Sequence, residues 1–192
     1  MRTTITTTAI VCALATAASA TAAAELTTNG GFETGDTSGW EYFPTPSSTF
    51  TADGDAFSGA FAGRLENVTD GTAAVIKQAN IGLGVVTPGI QVDISFWAKG
   101  ANEIGGVNFA ELFSEIDGGG VSKTEILGGA PLFVTGDWTF YSFTTTAGPD
   151  VSGGITLQLT ATTGANIGST SLLQVDDVSV TAVPAPGAAA VL

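Results

Sequence analysis

From Glu25 onward the chain alternates apolar and polar residues in short runs broken by Gly, Asn and Asp. Gln91–Lys99 shows this most cleanly: Val92, Ile94, Phe96 and Ala98 share one face, while Gln91, Asp93, Ser95 and Trp97 share the other. A period of two is that of a half-buried β-strand. Ile155–Ala161 repeats it, with Ile155, Leu157 and Leu159 inward and Thr156, Gln158 and Thr160 outward. The same pattern predicts strands over Phe61–Asn67, Thr72–Gln78, Val107–Ile116, Val121–Leu127 and Trp138–Thr145. Turn signals fall between them at Asp53-Gly54, Asp70-Gly71, Pro88-Gly89, Asp117–Gly120 and Ser152–Gly154. No stretch from Glu25 to Ala182 has helical spacing. The pattern predicts one all-β domain, residues 25–182, folded as an antiparallel sandwich.

Two segments frame that domain: Asn29–Trp40, rich in Gly, Asn and acidic residues, and Val175-Asp176-Asp177-Val178. They are expected to be the first and last strands, lying side by side. Near the second, the alternation changes phase. Leu173 and Val175 share one face, but Val178 and Val180 share the other. A bulge at Asp176-Asp177 would account for the switch and would re-aim a carboxylate.

The ends of the chain have a different character. Residues 1–24 open with Met1-Arg2, continue through an apolar run from Ala9 to Ala18, and close on Ala22-Ala23-Ala24. This is the pattern of a secretory signal peptide, with cleavage expected after Ala20 or Ala24. The run is too short to be a permanent membrane span. After Thr181 the composition shifts to Ala182-Val-Pro-Ala-Pro-Gly, and prolines at 184 and 186 cannot continue a central strand. Residues 183–192 are therefore expected to be a tail.

Charge and residue inventory narrow the chemistry. The net charge is −13, and without the leader only Arg64, Lys77, Lys99 and Lys123 oppose 18 acidic residues. Nucleic acid, which needs clustered basic side chains, is excluded as a partner. The chain has no His, and its one Cys, Cys12, lies in the leader. Histidine-based triads, imidazole zinc sites, thiolate sites and disulfides are all unavailable.

Asn29-Gly-Gly-Phe-Glu-Thr-Gly-Asp-Thr-Ser-Gly-Trp40 resembles the opening of the CenC-like carbohydrate-binding modules. Phe57-Ser-Gly-Ala-Phe-Ala62, Ile94-Ser-Phe-Trp-Ala-Lys-Gly100 and Gln174-Val-Asp-Asp-Val-Ser-Val180 resemble later stretches of the same family, in the same order. The resemblance implies a jelly-roll β-sandwich. It also implies a structural Ca²⁺ held by Glu33 and Asp176, with oxygens around Asn29–Gly31, among them those of Asn29, as supplements. Acidic side chains are the hard oxygen donors this ion prefers. The tail resembles the start of a PEP-CTERM sorting signal, with Ala185 in place of the usual Glu. That implies export to the cell surface and processing by exosortase-type machinery, although the apolar helix and basic cluster of such signals do not follow here.

The expected function is that of a non-catalytic exported module binding polysaccharide or a surface glycan. Flat aromatic rings with a few polar groups recognise sugars. Trp97, on the polar strand face, is the leading candidate ligand contact, with Tyr141 and Arg64 beside it; Arg64 could instead pair with a carboxylate. Trp40, Tyr42 and Trp138 are further aromatic candidates whose alternative is packing. A structural matrix protein without sugar affinity is the second reading. A small glycosidase is the third: Glu115-Ile-Asp117 has part of a Glu-x-Asp-x-x-Glu pattern, but Gly120 stands where the second Glu belongs. Glu111 and Glu115 share a face with Phe109 and Phe113. Asn67-Val-Thr69 is a glycosylation sequon by pattern.

Overall fold

Eleven strands and one short 3-10 turn (Leu127–Gly129) make up the computed structural model, which describes residues 22–184. The strands are β1 (Ala24–Glu25), β2 (Glu41–Phe43), β3 (Ser48–Asp53), β4 (Ala62–Asn67), β5 (Ala73–Ile81) and β6 (Gln91–Glu103). They continue with β7 (Val107–Glu115), β8 (Val121–Ile126), β9 (Thr139–Thr146), β10 (Ile155–Thr162) and β11 (Thr170–Val183). Residues 1–21 of the leader and residues 185–192 of the tail lie outside the described residues.

All pairings are antiparallel. Sheet A runs β3-β4-β11-β6-β9, with β1 added to β11, and sheet B runs β2-β5-β10-β7-β8. Each sheet contributes one apolar face to the core. Val92, Ile94, Phe96 and Ala98 from sheet A meet Ile76, Leu157, Leu159 and Leu112 from sheet B, all buried. This is the expected two-layer jelly-roll sandwich, in which alternation along each strand leaves the opposite faces to solvent.

Two expected features are corrected. Strands β2 and β3 were not predicted, because β2 has three residues and β3, Ser-Thr-Phe-Thr-Ala-Asp, offers only Phe50 as a large apolar side chain. Asn29–Trp40 is a chain of turns, not a first strand; the first strand is β1, paired through Ala24↔Ala182 and Glu25↔Thr181. The segment does lie beside β11, because Val178 N–H donates to Gly30 C=O at 3.0 Å. A Cβ on Gly30 would strike that strand's backbone. Phe32, which the sequence did not single out, is fully buried, stacked on Trp40 at 5.5 Å and edge-on to Phe50 at 6.0 Å. Gly63 leaves room for its ring.

The bulge is present. Asp176 pairs with Trp97 but Ser179 pairs with Ser95, so Asp177 and Val178 together oppose Phe96. Asp177 takes a left-handed backbone, φ 48°. The bulge sits where β4 stops, at Gly63↔Val175, before β1 begins at Thr181. That gap in the sheet edge is where Asp176 turns.

Candidate functional site

A strap crosses the outer face of sheet A at this gap. It is the segment after β3, residues 54–61, and two carboxylates hold it by its backbone. Asp176 Oδ2 accepts the N–H groups of Phe57 (2.9 Å) and Ser58 (3.0 Å), and its Oδ1 accepts that of Asp177 (2.7 Å). Glu33 accepts the N–H groups of Ala60 (2.9 Å) and Phe61 (3.0 Å). Ser58 Oγ donates to Asp177 Oδ1 at 3.0 Å. The side chain of Asn29 donates to the carbonyls of Asp36 and Ser38 and so holds its own turn together.

Glu33 and Asp176 therefore converge on one segment. Asp176 is fully buried and no basic side chain pairs with it among the described residues. Burial pushes its carboxyl above the usual range against the pull of the strap's N–H groups, and Asp177 adds to the rise. As a calcium shell the arrangement is incomplete. Six to eight oxygens are required, and most lone pairs of both carboxylates already face N–H donors. Among the described residues, no three carboxylates, His or Cys are grouped so as to hold a metal.

Farther along the strap, Phe57 lies flat on Trp97, with ring centroids 3.7 Å apart and 13° between planes. Phe140 meets Trp97 from β9 at 5.3 Å, and Trp138 meets Phe57 at 6.2 Å. Lys99 Nζ sits 4.8 Å from the Trp138 ring and pairs with Asp55 of the strap. Trp97 is thus outward, as its strand phase predicted, but one ring face is taken. Tyr141 points the other way: its ring stacks on Phe96 at 5.5 Å and its hydroxyl donates to Phe133 C=O at 2.6 Å. Burial raises its phenol pKa. The core uses that ring, so Tyr141 offers no platform to a ligand. Arg64 donates to Glu66 at 2.8 Å and stands two strands from Trp97. Trp40 is buried, with its indole N–H on Asn29 C=O. Tyr42 is half-buried and bonded to Ser48. Asn67 is fully buried and its amide donates to Ala161 C=O at 3.0 Å, so the folded chain does not present the sequon.

Among the described residues, no strap crosses the outer face of sheet B. Strand register sets a polar row across four strands, Glu41–Lys77–Gln158–Glu111. Lys77 stands 3.8 Å from Glu41, and Gln158 donates to Glu111 at 2.8 Å. The next row is Phe43–Val75–Thr160–Phe109, with Lys77 Nζ 4.7 Å from the Phe43 ring. Phe113 lies on the other side of the polar row, opposite Thr156. Thr160 is 5% exposed and its hydroxyl has no hydrogen-bond partner. The face therefore combines aromatic rings, an amide, a carboxylate and an ammonium on rigid strands.

Residues 24–165 match the family model described as a carbohydrate binding domain. The chain belongs to that family. No curated protein sequence matches this carbohydrate-binding domain. In three dimensions it resembles part of the bacteriophage CBA120 tailspike protein 4 enzymatically active domain, with TM-score 0.64 and 18% identity over 83% of this chain. It spans only 21% of that tailspike chain. It also resembles the CBM22-1 xylan-binding domain of Paenibacillus barcinonensis Xyn10C, with TM-score 0.60 and 16% identity over 88% of this chain and 99% of the other. The Stig cyclase Fisc from Fischerella sp. TAU is similar at TM-score 0.61 and 16% identity, over 85% of this chain and all of the cyclase. At these identities the likeness is one of fold. The same sandwich in a xylan-binding domain and in a cyclase means that a particular face, not the fold, decides what is bound.

Proposed function

We propose that this carbohydrate-binding domain is a non-catalytic, exported module that binds polysaccharide on the outer face of sheet B. The observation that carries the reading is the open polar row Glu41–Lys77–Gln158–Glu111 flanked by Phe43, Phe109 and Phe113. Rings supply stacking area for the C–H faces of a sugar, and the row supplies donors and acceptors for its hydroxyls. The non-catalytic reading is supported by the spacing of Glu111 and Glu115, four residues apart on one strand at about 13 Å, wider than glycosidase carboxylate pairs, and by Gly120 standing where the Glu115-Ile-Asp117 pattern needs its second Glu. Export rests on the leader pattern, and delivery by exosortase-type machinery on the tail pattern; both lie largely outside the described residues. The test is titration of the full chain with soluble xylan and mixed-linkage β-glucan, unaltered and as Glu111→Ala with Gln158→Ala. Loss of a saturable binding component in the double variant supports the reading; a titration unchanged in both stoichiometry and affinity moves the site elsewhere.

Glu33 and Asp176 are read as anchors of the strap. A structural Ca²⁺ beside Asp176 is a second reading, favoured by a buried carboxylate with no basic partner and a second carboxylate next to it. A melt with EDTA separates the two. A fall in Tm restored by Ca²⁺ supports the ion, and an unchanged Tm leaves backbone N–H groups, those of the strap and of Asp177, as the carboxylates' partners.

A further inference from the structure

The outer face of sheet A carries a second set of aromatic and polar groups on the opposite side of the sandwich. Phe57 is 40% exposed and Phe140 is 53% exposed, and both rest on Trp97. Trp97 acts as a backing that fixes the two outer rings, with their free faces toward solvent. From this cluster a strip runs along β6 and β9. Its register pairs are Trp97↔Phe140, Ser95↔Ser142 and Asp93↔Thr144, ending at Gln91. Gln91 and Thr144 both donate to Asp93. The strip spans about 20 Å, at 3.3 Å per residue from position 97 to 91.

We infer that this strip is a second contact surface for a neutral polysaccharide, so that one domain bridges two chains. Neutral sugar fits better than other occupants. A second copy of this chain, itself at −13, is repelled, as is any strongly anionic polymer. The one basic side chain in the cluster, Lys99, is buried and paired with Asp55, which leaves nothing to hold phosphate or carboxylate groups. A lipid or apolar helix would have to cover Ser95, Ser142, Thr144 and Asp93. Aromatic faces followed by hydroxyls, an amide and a carboxylate match the alternating C–H faces and hydroxyl edges of a sugar chain. The two faces lie back to back, so a single chain segment cannot engage both, and occupancy of both links separate chains. The inference rests on sheet B supplying the other contact.

Light scattering and native gels cast with xylan or mixed-linkage β-glucan test this directly. The full chain is expected to be retarded in the gel and to raise scattering at intermediate protein-to-polysaccharide ratios, where bridging is maximal. Phe140→Ala alters an exposed ring and leaves the core alone. It is expected to keep retardation within about threefold and to abolish the scattering rise. Glu111→Ala with Gln158→Ala is expected to do the same, and the triple variant to lose both signals. Scattering that persists in Phe140→Ala overturns the second surface. Loss of all retardation in the Glu111–Gln158 variant also overturns it, while sustaining the sheet B reading. Loss of all retardation in Phe140→Ala alone overturns the sheet B reading and bivalency together, as does a full chain retained by neither polysaccharide.

Discussion

The two outer faces of this sandwich are built from the same alternation yet are finished differently. On sheet A, a strap lies across the strands, tied by its N–H groups to Asp176 and Glu33 and by Phe57 to Trp97. On sheet B, Gln158, Glu111 and Lys77 stand on bare strands and bond to neighbours in their own row. Asp176 and Glu33 on sheet A are thus committed to holding the backbone, whereas the polar groups on sheet B exchange partners at small cost. Substitutions at the strap's anchors should therefore cost stability, and those on the sheet B row should cost binding.

The largest expected effect is on sheet A. Asp176→Ala strands three part-buried N–H groups, those of Phe57, Ser58 and Asp177, at about 1–3 kcal/mol each before solvent reaches them. Relaxation of the strap limits the net cost to roughly 2–4 kcal/mol, or a Tm lower by roughly 5–15 °C for a domain of this size. A melt within a degree or two of the unaltered protein would remove the strap-anchor account. Next is Phe109→Ala on sheet B. Loss of one stacking ring is expected to weaken polysaccharide binding about tenfold with a smaller change in Tm. Equal losses of Tm and affinity would mean that the ring is mainly packing.

The smallest effect concerns pH. Burial raises the Glu25 carboxyl pKa, but hydrogen bonds from Ser179, Thr27 and Val180 outweigh it and leave the group below its ordinary 4.5. A depressed folded pKa stabilises above the unfolded value and is lost as pH falls through the folded one. Below pH 4.5, then, the β1–β11 pairing should weaken. Solvent screening keeps the effect under about 1 kcal/mol, or roughly 2–4 °C. Glu25→Gln is expected to flatten that acid limb of the Tm profile, and an identical limb in the variant would assign it to other carboxylates.

Local pattern carried most of the fold. The phase of β6, with Phe96 in and Trp97 out, was legible because Val92, Ile94, Phe96 and Ala98 alternate with polar neighbours up to Trp97. The bulge at Asp176-Asp177 was legible for the same reason, since the valines change parity there. On β9 parity failed to decide: Phe140, Tyr141 and Phe143 place aromatic rings on both sides, and only packing on Phe96 turns Tyr141 inward. The partners of Glu33 and Asp176 could not be read locally either, because their donors belong to residues 57–61 and are carried there by the strap. Three strands of the sheet B face were visible singly, as Thr72–Gln78, Val107–Ile116 and Ile155–Ala161 with Gln158 outward. What could not be read is the row, because only strand register sets Lys77, Gln158 and Glu111 alongside one another.

The most direct test is to follow backbone amide signals of the isotope-labelled full chain by NMR. The titrant is a neutral oligosaccharide cut from whichever polysaccharide retains the protein. The account predicts that signals of β5, β7 and β10, Lys77, Glu111 and Gln158 foremost, move at the lowest ligand concentrations. It is contradicted if those signals stay fixed while signals elsewhere in the molecule shift.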